Sequence, residues 1–146
     1  MKVLVVEPLK PCYVREIEGL KAMQALVGGH IEAIYPYEEP VAIIVNDEGK
    51  LNGSELNRAI CDQDGNIVDI IAGNFLVVGL GEENFCSLSP ELMQKFEEKF
   101  HQPEMFVRMG KSIMALPLPD DMVRKTDAPE KSEKPPVKNA PDREAL

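Results

Sequence analysis

The run Asn46-Asp47-Glu48-Gly49-Lys50-Leu51-Asn52-Gly53-Ser54-Glu55-Leu56-Asn57-Arg58 gathers amides, carboxylates, two cations and two glycines directly after the apolar stretch Val41 to Val45. Arginine offers a bidentate fork to an anion, and asparagine both donates and accepts, so such a run can grip a phosphate, a carboxylate or a base edge. Asn46, Glu48, Lys50, Asn52, Asn57 and Arg58 therefore form the candidate ligand- or partner-binding set, on the rule that loops on a rigid sheet carry function. A purely structural account competes with it. Asp47-Glu48-Gly49-Lys50 and Leu51-Asn52-Gly53 are both turn sequences, and a tight excursion between strands explains their glycines and amides. It leaves Asn57-Arg58, ahead of Ala59-Ile60, without a reason.

The other chemistry-bearing residues point to structure. Gly79-Leu80-Gly81 follows a strand candidate, as a dinucleotide loop does, but the third glycine is missing and Glu82-Glu83 would face a pyrophosphate; it reads as a turn. Asp62-Gln63-Asp64-Gly65 starts like a calcium loop and reaches its glycine too soon, which makes it a β-turn or Asx-turn. His30 and His101 lie in no HxxxH or HxH context, so no metal site is assigned. His101, just past a helix, is placed to meet that helix's last carbonyls. Asn52-Gly53-Ser54 spells a glycosylation acceptor that has no meaning without secretion. No acid, base and nucleophile share a mechanistic spacing, so no catalytic residue and no cofactor is assigned, and the reading is of a binder rather than a catalyst.

Composition sets the frame around these residues. The chain has 146 residues, enough for one core without a staple, and its three cysteines, Cys12, Cys61 and Cys86, form no CxxC pair. A disulfide framework is not expected, and a reducing cytoplasm is. The first residues hold too short an apolar run for a signal peptide, and no stretch approaches the roughly 18 apolar residues of a membrane span. The net charge of −9 disfavours binding to nucleic-acid backbones, where affinity comes from Lys and Arg. It suits solubility, or a surface that imitates a polyanion to occupy a protein's nucleic-acid groove.

The elements follow from periodicity. Lys2 to Val6 and Tyr13 to Ile17 read as a hairpin, and Leu20, Met23, Leu26 and Val27 as a short helix stopped by Gly28-Gly29. His30 to Tyr35, Val41 to Val45, Ile67 to Ile71 and Asn74 to Val78 read as strands, with Phe75-Leu76-Val77-Val78 buried on both faces. Ser89 and Pro90 open a second helix, with Leu88 and Met93 as its staple and Leu92, Phe96 and Phe100 as its stripe. Met105 to Met109 and Ile113 to Leu116 form a last hairpin about Gly110-Lys111. The class is α+β: a mostly antiparallel sheet with two short helices packed on one face. Half of the twelve prolines lie from Pro117 onward among alternating charges, so the domain is read as 1–118 and residues 119–146 as a disordered tail.

Gly28-Gly29-His30-Ile31-Glu32-Ala33 (GGxIEA), Asn46 to Gly53 (NDEGKLNG), Leu56-Asn57-Arg58 (LNR) and Asp69 to Phe75 (DIIAGxF) together resemble a family of small proteins of phages, plasmids and other mobile elements, catalogued as a domain of unknown function. The motifs span most of residues 1–116. The resemblance implies a mobile-element setting, in which small acidic proteins bind and inhibit host defence. The function expected is that of an accessory protein acting by occupancy on a host protein or a small anionic ligand, with no membrane contact; the alternative is a small-nucleotide-binding or nucleotide-processing protein that uses the central run.

Overall fold

The computed structural model describes residues 1–49 and 53–125. In chain order its elements are β1 (Lys2–Val6), β2 (Tyr13–Glu16), α1 (Gly19–Val27), β3 (Ile31–Ile34), β4 (Val41–Asn46), β5 (Leu56–Cys61) and β6 (Ile67–Ala72). There follow β7 (Phe75–Leu80), β8 (Phe85–Cys86), α2 (Pro90–Phe100), β9 (Glu104–Met109) and β10 (Ser112–Pro117). The main sheet is antiparallel in the order β2-β1-β7-β4-β3, with β8 also paired to β7; β5-β6 and β9-β10 are separate hairpins. The α+β class expected from the sequence is what the chain adopts.

The helices, however, do not share a face. Successive side chains of a strand point to opposite faces. Val3, Val5, Ala42, Ile44, Leu76 and Val78 pack with Met23 and Val27 of α1. Leu4, Val6, Val41, Ile43, Phe75 and Val77 pack instead with Phe96 and Phe100 of α2 and with Ile60 and Ile71 of the β5-β6 hairpin. A sheet whose central strands are apolar at every position has two faces to bury, so it needs a cover on each. The expectation of helices on one face fails for that reason, whereas the double-sided burial of Phe75 to Val78 is observed.

Local signals explain the ends of the helices. Gly28 takes the left-handed conformation (φ 85°) and donates its N–H to Gln24 O, which closes α1. Ser89 Oγ accepts from Leu92 N at 3.2 Å, with Pro90 opening α2. The sequence reading misses the two-residue β8 and the longer β5, in which Asn57 and Arg58 follow Leu56 and a register shift between Leu56 and Arg58 breaks the alternation.

Leu118 is buried, and its N–H donates to Pro103 O. Beyond it the chain stays on the domain rather than leaving at residue 119. Asp120–Met122 forms a 3-10 turn, Arg124 N donates to Leu9 O at 2.7 Å, and the Arg124 guanidinium meets Glu55 at 3.2 Å. The remainder of the expected tail, 126–146, lies outside the described residues. Among the described residues no helix is long and apolar enough to cross a membrane.

Candidate functional site

The central polar run divides into two parts with different surroundings. Asn57 and Arg58 are interior, exposed by 0% and 1%. Arg58 donates to Phe100 O from Nε (3.1 Å) and Nη2 (2.8 Å), to Lys10 O from Nη2 (2.7 Å), and to Asn57 Oδ1 from Nη1 (2.8 Å). Asn57 Nδ2 donates to Val6 O at 2.9 Å and Gly73 O at 2.8 Å. Phe100 is the last residue of α2, so the guanidinium puts a full positive charge where the helix leaves its unpaired carbonyls. Burial draws the pKa of Arg58 down to about 10, against the opposing influence of Cys12 and Glu104, and the side chain stays a cation at neutral pH. Its fork is spent on the backbone of three separate segments.

Asn46 and Glu48 stand elsewhere, at the mouth of a cleft of about 230 Å³ between the β3-β4 end and β6. Ile34, Val45 and Ile71 give the cleft an apolar floor, while Glu32, Asp47, Glu48 and Asp69 line it with carboxylates. Glu32, Asp47 and Glu48 are exposed. No lysine, arginine or histidine is among its described lining residues.

The turn that presents this rim is rigidly tied. Asn46 Nδ2 donates to Val27 O, near the end of α1, at 3.1 Å, and its Oδ1 accepts from Glu48 N at 2.8 Å. Asp47 N donates to His30 O, and Gly49 N to Asn46 O. Gly49 is required by a close approach: a Cβ there would sit 2.7 Å from Ala72 O of β6. Across the cleft Asp69 Oδ1 accepts from Ile70 N at 2.8 Å. Of the six residues singled out in the sequence, the structure thus brings Asn46 and Glu48 together at the cleft and Asn57 and Arg58 together in the interior; Lys50 and Asn52 lie outside the described residues.

Sequence reasoning passed over Glu32, Asp47 and Asp69 as site residues. The available signal was a carboxylate interrupting an apolar strand, as Glu32 does in Ile-Glu-Ala-Ile and Asp69 in Ile-Val-Asp-Ile-Ile. Asp62-Gln63-Asp64-Gly65 is the turn that the sequence suggests, with Asp62 Oδ1 accepting from Asp64 N and Asn66 N, both at 2.9 Å, and Gly65 at φ 85°. Among the described residues no three His, Cys, Asp or Glu side chains are grouped to hold a metal ion.

The thiols differ sharply in environment. Cys12 is buried, its Sγ lies 3.5 Å from Glu97 O, and burial pushes its pKa up to about 11, whereas Cys61 and Cys86 are exposed. A thiol-specific reagent at pH 8 is expected to titrate Cys61 and Cys86 quickly and Cys12 only on unfolding, since the thiolate is the reactive form. Rapid modification of all three thiols in the folded protein would contradict this burial.

The family model described as "Domain of unknown function (DUF3846)" matches residues 1–101, which takes in both helices and the cleft and leaves the β9-β10 hairpin outside. No curated protein and no solved structure matches the chain.

Proposed function

The chain belongs to the DUF3846 family of domains of unknown function, and from that premise we propose that it is a phage or mobile-element accessory protein that acts by occupancy, binding and inhibiting a host, defence-related protein. The cleft between the β3-β4 end and β6 is its binding site, and the segment it takes is basic. One observation carries this reading: an apolar floor at Ile34, Val45 and Ile71 is rimmed by Glu32, Asp47, Glu48 and Asp69. An apolar floor supplies affinity through desolvation, and a rim of one sign selects partners of the opposite sign and speeds their encounter. The net charge of −9 adds to that steering. The setting comes from the family resemblance of the motifs, and a reading by occupancy accords with a surface that imitates a polyanion. The small anionic ligand and the nucleotide lose the Arg58 fork, which is committed to carbonyl oxygens inside the protein.

The test uses a fluorescently labelled arginine- and lysine-rich peptide as probe, followed by anisotropy at two salt concentrations. Binding is expected to weaken with salt, and Asp47→Lys with Glu48→Lys is expected to lower affinity by about tenfold or more without changing the melting temperature. Glu82→Lys with Glu83→Lys, exposed at the β7-β8 turn, carries the same charge change away from the cleft. An equal loss from both pairs would mean that diffuse net charge, and not the cleft, attracts the peptide.

A further inference from the structure

The β9-β10 hairpin is an apolar structure left largely uncovered. Its register sets Met105 against Leu116, Val107 against Met114 and Met109 against Ser112. Directly opposed side chains share a face, so Met105, Val107, Met109, Met114 and Leu116 form one apolar surface. Met109 is 56% exposed and Met114 43%, and no hairpin side chain belongs to either core. Glu104 Oε1 accepts from Ala59 N at 2.8 Å, which ties β9 to the domain and leaves β10 as the outer strand, paired among the described residues with β9 alone. That strand, Ser-Ile-Met-Ala-Leu-Pro, carries no charge. Proteins that stay monomeric guard an outer strand with lysine, with inward charges or with a covering element; β6 shows a guard of this kind in Asp69, whose carboxylate takes the Ile70 N–H. The hairpin does not.

We propose that β10 pairs with β10 of a second copy of this chain, antiparallel about a two-fold axis at Met114, to give a four-stranded sheet with one continuous methionine-rich face. Charge favours this partner. The chain is acidic as a whole, but the hairpin is a local exception, with Glu104 against Arg108 and Lys111. A two-fold at Met114 sets Lys111 of each copy opposite Pro117 of the other, and Asp120 and Asp121 follow Pro117 closely in the chain. The pairing thus turns the basic Lys111 end of each copy toward the acidic Asp120-Asp121 end of the other, twice by symmetry, and only an isologous pairing does both at once. The segment 126–146 competes poorly for this face, since its prolines and alternating charges offer little apolar area. This pairing is independent of what the acidic cleft binds.

Sedimentation velocity on the full chain over a concentration series tests it. A reversible dimer is expected. Met114→Lys sets two ammonium groups opposite each other and is expected to weaken the dimer by about tenfold or more, with circular dichroism unchanged. In a Cys61→Ser, Cys86→Ser background, Met114→Cys is expected to close a disulfide between copies on mild oxidation, because opposed positions of an antiparallel pair bring their Cβ atoms to about 4.5–5.5 Å. A monomer at every concentration, open-ended aggregates, or a dimer that survives Met114→Lys and does not cross-link through Met114→Cys would each overturn the proposal.

Discussion

Arg58→Ala is expected to destabilise the domain by about 3–5 kcal/mol, the cost of breaking a buried charged network, and to leave much of the protein unfolded at moderate urea. The substitution orphans Phe100 O and Asn57 Oδ1 in the interior, and Lys10 O at its part-buried edge. It also removes a fully buried side chain and leaves a cavity in its place. Arg58→Lys is expected to restore only part of the loss. A lysine brings three donors on a single nitrogen, whereas the present contacts are spread over Nε, Nη1 and Nη2 toward α2, β5 and the β1-β2 connection. Urea midpoints for the two variants and the parent decide the matter. A change within about 0.5 kcal/mol, the scale of a surface substitution, would show that the guanidinium is not a brace.

Gly79→Ala is the second large effect expected, at about 3 kcal/mol, the upper part of the range for overpacking. A Cβ on Gly79 would stand 2.5 Å from Ser87 O, and 3.1 Å from both Cys86 O and Cys86 Sγ. Two of these neighbours are backbone atoms of β8 and the residue after it, held by the β7-β8 pairing and by the bond from Leu88 N to Lys2 O, so they cannot simply rotate away. The glycine that suggested a phosphate loop is there to let two strands come close. Gly110→Ala gives the contrast: nothing lies within 4 Å of its Cβ, and only its φ of 62° opposes the change, so about 1 kcal/mol is expected. Melting temperatures that place Gly79→Ala at or above Gly110→Ala would contradict this ordering.

How far the sequence reveals this molecule depends on the range of the interaction that decides each feature. The cap at Ser89, the stop at Gly28 and the continuous apolar run from Phe75 to Val78 are settled within a turn or a strand, and the structure follows them. The burial of Arg58 is settled by Phe100 and Lys10, which lie 42 and 48 residues away, and an interior arginine has the same local spelling as one on a surface. Asn57 and Arg58 therefore read as site residues although they hold the interior together. The strand β5 was obscured for a related reason, since its register shift removes the alternation by which a strand is recognised. The cleft falls between these cases. Asn46 and Glu48 stand out in their turn, but Glu32 and Asp69 reach it only because β3 and β6, far apart in the chain, close on the same space. Even the placement of α1 opposite α2 follows from a nonlocal fact, the two apolar faces of β1, β4 and β7.

The division of the central run into an interior brace and an acidic rim is the centre of this account, and affinity capture from a host lysate tests it most directly. Three tagged baits are compared at equal loading: the parent chain, the Asp47→Lys, Glu48→Lys chain, and the Glu82→Lys, Glu83→Lys chain, with melting temperatures measured alongside. The account predicts a protein that the parent and the Glu82, Glu83 variant both retain and the cleft variant loses while still folded. Recovery of the same proteins by all three folded baits would contradict it.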